Sequence, residues 1–543
     1  MIKLFNSFVP IRNYMLQLHW QTSAIKFIML MSLGNIILYN SHVFLFSASN
    51  LDYLSLNGML TLATVAVVIF IVTALFLVLL SIISKHLAKL FCMLSAVVNS
   101  IALYFVLTYQ VVLDKTMIGN VFNTNLSEAS SYLHPKLILY LLLLGIFPCW
   151  FIFKIRINKI SRKSLLLQSL IFILIMIVWA YLNASRSLWI DKYSSRLGSR
   201  IMPWSYIGNT WKYQSMNLKF SSEQILLPPA TFTADNEKTV IILVIGEAAR
   251  AKNFSLLGYD RPTNPLLAKI GVIALRNTIS CSTYTTLSLR CILSHTDVSS
   301  AFSKQYEPLP SYLYRHGVDV IWRTNNWSEP PLKVNSYQRN SDLEQDCKGD
   351  YCKYDEVLLS GLGERIRASK QQKLFAVIHH WGSHGPSYYT RYPKKFEVYK
   401  PVCKSVELNQ CTDNELINAY DNTIVYTDYF LTRTIEILQE LKTSTMLIYI
   451  SDHGQSLGEY GLYLHGAPYT IAPDVQKDIP FLVWMSPEFM KKKGINSDQI
   501  KQSQSHSHQN IFHSVMGAFN MHSDAYNDQL DIFNVMVESF SAE

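Results

Sequence analysis

Five long apolar runs fill the first third of this 543-residue chain, at roughly residues 24–46, 57–83, 87–113, 134–155 and 164–184. Each can supply the about 20 residues that a helix needs to cross a bilayer. A cleaved signal peptide does not account for the first run, because four more follow. The composition agrees: 49% of residues are hydrophobic and only 16% charged, against about 25% charged in an average globular chain. The length exceeds one ordinary domain and predicts two or three.

Loop charges orient these runs. The N-terminus carries Lys3 and Arg12, the second loop Lys85 and Lys89, and the fourth loop Lys154, Arg156, Lys159, Arg162 and Lys163. The first and third loops hold few positive charges. Positive residues stay cytoplasmic, so the N-terminus is expected inside and everything after about residue 185 outside. The predicted organisation is a five-helix transmembrane domain over 1–190, an aromatic interfacial linker over 191–235 and an outer domain over 236–543.

The formal net charge of +9 is diffuse. No block of like charge suggests a nucleic-acid partner. A partner bearing phosphates, or an anionic membrane face, would suit the excess; ordinary solubility accounts for it equally well. Six of the eight cysteines fall outside the apolar third, in close pairs: Cys281 with Cys291, Cys347 with Cys352, Cys403 with Cys411. Short-range pairs in a polar region read as a disulfide framework, which requires an oxidising compartment such as a periplasm. None has the C-x-x-C spacing of a zinc knuckle.

The outer region alternates strand-like and helix-like stretches. Thr239-Val-Ile-Ile-Leu-Val-Ile leads to Gly246-Glu247, Lys373-Leu-Phe-Ala-Val-Ile to His379, and Thr445-Met-Leu-Ile-Tyr-Ile to Ser451-Asp452-His453. Short, continuously apolar strands suit a buried, mostly parallel sheet in an α/β domain. Sites in such sheets gather at the carboxyl ends of the strands, so the three polar clusters point to one site. Glu247, Asp452 and His453 offer a ligand mix that suits zinc. His384 and His465, with His379 as a weaker candidate, could hold a second ion or a substrate phosphate. The hydroxyl-rich stretch from Ser280 to Cys291 could present a nucleophile, and a hydroxyl touching zinc loses its proton more easily. The conjunction favours a metal-dependent hydrolase or transferase over a set of unrelated caps and loops. In the third loop, Asn120, Thr124 and Glu128 are spaced i, i+4, i+8 and would share one helix face; from the pattern alone this reads as the solvated face of an interfacial helix.

The chain resembles the phosphoethanolamine transferases of the alkaline phosphatase and sulfatase superfamily, a group that includes the lipid A enzymes and the mobile colistin-resistance enzymes. The matching stretches are Val244-Ile-Gly-Glu-Ala-Ala-Arg, Ser280-Cys through Cys291, His384-Gly-Pro-Ser-Tyr-Tyr, Ser451-Asp-His-Gly-Gln-Ser-Leu-Gly-Glu and Leu464-His-Gly-Ala-Pro-Tyr, together with the five-helix anchor and the third-loop pattern. The resemblance implies an α/β catalytic domain of the alkaline-phosphatase type, set outside a bacterial inner membrane. It implies that Thr285 is the nucleophile, and that Glu247, Thr285, Asp452 and His453 bind a tightly held zinc. His384 and His465 would bind the substrate phosphate or a second zinc, and Asn120, Thr124 and Glu128 would contact substrate. The implied donor is phosphatidylethanolamine and the implied acceptor a lipopolysaccharide, lipid A foremost, with polymyxin resistance as a consequence.

The chain also departs from the family pattern. Arg290 stands where proline is usual, Gln455 where glutamate is common, and Tyr460 where asparagine is common. After Asn325-Asn326, many members carry a Ser-Gly-Cys-Lys-Gly-x-Cys segment; here the chain reads Trp327-Ser-Glu-Pro-Pro-Leu-Lys. The serine and lysine that touch substrate there in the family are not assigned to positions of this chain. Two other readings compete: a phosphoglycerol transferase of the same superfamily and a non-catalytic lipid-binding sensor. The paired cysteines and the His-Gly-Pro stretch argue against the first, the retained Thr285, Glu247, Asp452 and His453 against the second.

Overall fold

The computed structural model describes residues 20–534 except 125–128, 131, 159–160, 184–188, 191, 221–223, 234–236, 346, 496 and 501–504. Two units are distinguished: one of Met1–Ile118 and Leu133–Lys212, the other of Gly119–Tyr132 and Tyr213–Glu543.

The first unit is helical: α1 (Ala24–Tyr39), α2 (Ser41–Ser49), α3 (Leu56–Ile83), α4 (Lys85–Tyr109), α5 (Pro135–Lys154) and α6 (Arg162–Leu182). The last four are each long and apolar enough to cross a membrane; α1 and α2, bent by 59°, make a fifth span if the pair counts as one. Ser84 separates α3 from α4. Its extended backbone ends the first helix, and its hydroxyl accepts the His86 N–H that opens the second, as an N-cap should. On α6, Leu166, Leu170, Leu174 and Ile177 are exposed. A run of exposed leucine on a spanning helix is satisfied by lipid, not water. Inside the bundle, Asn99 donates to Asn35 Oδ1 and accepts from the Tyr206 hydroxyl, while Asn35 donates to the Met202 carbonyl. Buried polar groups at membrane depth need such partners. The expected 191–235 linker contains helix Trp204–Phe220. Trp204 is no surface anchor: its indole packs on Phe76 and Phe91 and donates to Thr73 Oγ1.

The second unit is built on a seven-stranded sheet of β1 (Thr239–Gly246), β2 (Ile273–Leu275), β3 (Asp319–Thr324), β4 (Ser336–Arg339), β5 (Lys373–His379), β6 (Ser444–Ser451) and β7 (Phe481–Met485), in the order β2-β7-β6-β1-β5-β3-β4. Only β7 runs against its neighbours. Every residue of β1 and of β6 is buried. β-Branched and aliphatic runs of this kind form central strands because both faces meet apolar partners. The core joins Ile241, Leu243 and Ile245 of β1 to Met446, Ile448 and Ile450 of β6 and to helix residues such as Leu289 and Phe512. Gly246, at the end of β1, admits no side chain: a Cβ there would collide with the Tyr449 hydroxyl. Thr412 and Glu415 form a capping box that starts the 27-residue helix α8 (Asp413–Gln439), which follows the shorter α7 (Thr285–Ile292). The three cysteine pairs are bonded as Cys281–Cys291, Cys347–Cys352 and Cys403–Cys411.

Candidate active site

The ends of β1 and β6 are hydrogen-bonded neighbours, with Ser451 opposite Gly246. The residues that follow, Glu247 and Asp452-His453, therefore emerge side by side. All three are fully buried. Thr285 opens α7, so its hydroxyl lies at the helix N-terminus, where the dipole favours an oxyanion.

Thr285 Oγ1 is 3.1 Å from Glu247 Oε2 and 3.4 Å from His453 Nε2. His453 Nε2 is also 3.4 Å from Glu247 Oε1 and 3.2 Å from Asp452 Oδ2. The proton of this ring sits elsewhere: Nδ1 is 2.9 Å from the Gly454 carbonyl, which can only accept. Nε2 thus turns a lone pair toward two carboxylate oxygens. Asp452 Oδ1 is occupied by the Ala248 and His453 N–H groups. Glu247 Oε1 and Asp452 Oδ2 are buried with no hydrogen-bond partner. Burial of unpartnered anionic oxygens is costly, and it pushes both Glu247 and Asp452 up to about 7, while burial holds His453 below its ordinary value. Glu247 Oε1, Asp452 Oδ2 and His453 Nε2 converge with no hydrogen-bond donor among them, an arrangement that a cation would stabilise. Two carboxylates, one imidazole and one hydroxyl fit zinc.

A second group shares Glu247. Its ligand atoms lie within 4.8 Å of those of His384 and His465. The His465 ring is 4.3 Å from that of His453 and 5.4 Å from that of His384, centroid to centroid. His465 Nδ1 lies 2.8 Å from Gln455 Oε1, and Gln455 donates its amide N–H to the Tyr388 hydroxyl. This fixes Nδ1 as the protonated nitrogen and leaves Nε2 as an acceptor.

His379 does not join either group. It ends β5 inside the core, near Trp322, with both ring nitrogens unpartnered, and burial drives it down to about 3. Asn120 lies against the loop of His465: a Cβ on Gly466 would be 2.8 Å from its Nδ2. Thr124 returns its hydroxyl to the Asn120 carbonyl, and Glu128 lies outside the described residues. From the same segment, Asn123 donates to Thr286 Oγ1, next to Thr285.

Three supporting residues escape a reading of the sequence as isolated motifs. Asn326 donates to Glu247 Oε2 at 2.8 Å; its position just past β3 was the available signal. Asp355 accepts from the Trp381 and Gly382 N–H groups and from Asn325, and its Oδ2 is 3.3 Å from His380 Nδ1. It thereby holds the loop that carries His384. No local pattern marks it. Gln455 is visible in sequence only as a departure.

Comparison with known proteins adds independent findings. Residues 239–521 match the sulfatase family, and residues 69–218 match a family described as phosphoethanolamine transferase EptA/EptB. The chain is 39% identical to phosphoethanolamine transferase EptA of Helicobacter pylori over 86% of its own length and 88% of that protein's. It is similar in structure to the integral membrane lipooligosaccharide phosphoethanolamine transferase A (EptA) of Neisseria meningitidis, with a TM-score of 0.86, 27% identity, and 94% and 98% of the two chains covered. Its outer part is similar to the C-terminal periplasmic domain of phosphoethanolamine transferase EptC from Campylobacter jejuni, at 35% identity and a TM-score of 0.52, covering 57% of this chain and 98% of that domain.

Proposed function

We propose, because this chain belongs to the phosphoethanolamine transferase family, that Thr285 takes phosphoethanolamine from phosphatidylethanolamine and passes it to a lipopolysaccharide acceptor, lipid A first among them. The observation that carries this reading is the convergence of Thr285 Oγ1, Glu247, Asp452 and His453 Nε2 at one buried point.

The chain's own groups divide the work. Glu247 Oε2 accepts the Thr285 hydroxyl proton's hydrogen bond and holds the oxygen in place; Asn326 in turn holds Glu247. The helix N-terminus favours negative charge as the proton leaves. Thr285 Oγ1 bonds to the donor phosphorus, the phosphorus–oxygen bond to diacylglycerol breaks, and diacylglycerol departs with a proton. The resulting phosphoethanolamine–threonine ester is attacked by a phosphate or hydroxyl oxygen of the acceptor, which restores Thr285. His384 and His465 contact the phosphoryl oxygens or hold a second ion, and His465 Nε2 is free to relay the proton. Glu247, Asp452, His453 and Thr285 would hold a zinc ion, which would supply hydroxyl activation and draw charge from a phosphoryl oxygen. Asn120 and Thr124 contribute to the substrate face.

A membrane anchor suits a reaction between two lipids, because it raises their effective concentration at the site. The loop charges support a cytoplasmic N-terminus, an inner-membrane anchor and a periplasmic catalytic domain. The test is direct. The purified chain, given phosphatidylethanolamine and no acceptor, gains one phosphoethanolamine on the peptide between Cys281 and Cys291, and lipid A from cells expressing it gains the same mass. A glycerol phosphate adduct in its place would assign the chain to phosphoglycerol transfer. No adduct and no lipid change would reduce it to a lipid-binding protein.

A further inference from the structure

We propose that the indole of Trp327 forms the subsite that recognises the ammonium end of the donor headgroup. The inference rests on the transferase reading above and names the partner of the one part of phosphoethanolamine that reading leaves unmatched.

The phosphate end meets Thr285 and the histidines. The ammonium sits two carbons away and carries a full positive charge. Glu247 Oε2 accepts from Thr285 and Asn326, and Glu247 Oε1 and Asp452 Oδ2 turn with His453 Nε2 toward the point that would take the zinc, so the carboxylates of the site belong to the phosphate end. On the His384 side of the site stand two indoles. The Trp327 ring is 6.5 Å from the His384 ring and 6.3 Å from the Trp381 ring, edge-on to the latter at 72°. Trp381 already carries a cation, since the Arg391 guanidinium lies 3.8 Å over its ring. A second cation would be repelled there. Among the described residues, none places a cation over Trp327.

The backbone holds Trp327 in position. Its N–H donates to Asn326 Oδ1, and the Asn326 amide donates to Glu247. The indole is therefore tethered one residue from the reacting cluster. Pro330 and Pro331 restrict the chain that follows. Indole is the strongest aromatic partner for an ammonium, which it attracts within about 6 Å of the ring centroid. The residue opens the stretch Trp327-Ser-Glu-Pro-Pro-Leu-Lys and sets its aromatic face beside His384.

The test compares two donors on the full-length chain in detergent or nanodiscs. One is phosphatidylethanolamine; the other is phosphatidylpropanol, in which a methyl group replaces the ammonium. Adduct formation on Thr285 is followed for each. Trp327→Ala should lower kcat/KM for phosphatidylethanolamine by several-fold to about thirtyfold while leaving phosphatidylpropanol unchanged. Trp327→Phe should recover part of the loss, and Trp327→Leu none, which keeps the comparison usable if the alanine variant folds poorly. Equal losses with both donors, or no loss with either, would overturn the inference and leave the transferase reading standing. A wild-type chain that forms no adduct with phosphatidylethanolamine would remove both.

Discussion

His465 presents Nδ1–H to the side-chain oxygen of Gln455 at 2.8 Å, and this contact decides which nitrogen of the histidine faces the site. Gln455 is itself oriented by donating to the Tyr388 hydroxyl at 2.7 Å. A buried amide thus orients the site histidine. Gln455→Leu should lower transfer by about 10–100-fold, the usual effect of removing a partner that orients a site histidine. Gln455→Glu should retain activity, because its oxygen still accepts from Nδ1–H. Steady-state kinetics of the two variants check this; equal activity of Gln455→Leu and wild type would refute the role.

Thr285→Ala should abolish the covalent adduct and lower transfer by about a thousandfold or more, as losses of a nucleophile do. Glu247, Asp452 and His453 remain as three ligands, enough for a zinc site, so zinc content should persist. Thr285→Ser should keep part of the activity. Thr283 and Thr286 are spoken for: Thr283 donates to the Ala467 carbonyl, and Thr286 accepts from Asn123. Their alanine variants should still form the adduct. Peptide mass spectrometry decides, and a label surviving in Thr285→Ala would exclude this threonine.

Removing metal should expose the cost of the buried anionic oxygens of Glu247 and Asp452. A ligand that binds only the folded state at a hundred times its Kd stabilises by about 2.7 kcal/mol. Chelation should therefore abolish transfer and lower the melting temperature of the catalytic domain, and added zinc should restore both. Unchanged melting with and without chelator would argue against a zinc site.

Two buried histidines that are not in the ligand set should make stability fall in acid. His508 and His513 flank and occupy helix α9 (Gln509–Ala518). Each accepts a backbone N–H on Nδ1, from Cys281 and Asn527, and each turns Nε2 to a carbonyl, of Ser451 and His295. Both rings are held neutral, with burial lowering them to about 4 from an ordinary 6.5. The unfolded chain therefore binds more protons than the folded one between those values. Stability is whole above about pH 6.5 and is lost as pH falls toward 4, by at most about 1.4 kcal/mol per pH unit per group. Thermal melting from pH 7 to 4.5 should show this slope, and His513→Gln should flatten it. A melting temperature independent of pH across that range would contradict the assignment.

Much of this molecule was legible in the order of its residues. Apolar runs long enough to span a bilayer, strands apolar on both faces, and close cysteine pairs are local properties, set by composition over a few to about 20 residues. The polar clusters behind the strands could be joined into one site because parallel strands place their carboxyl ends on one edge. What the sequence did not contain was which strand lies beside which. The order β2-β7-β6-β1-β5-β3-β4 arises from hydrogen bonds between segments as much as two hundred residues apart, and only that order sets Asp452 and His453 against Glu247 while leaving His379 in the core. The roles of Asn326, Asp355 and Gln455 belong to the same class. Each is a common polar residue whose meaning comes from a partner distant in the chain or on another turn, so the chemistry could be read from the ligands, but their support was decided by tertiary packing.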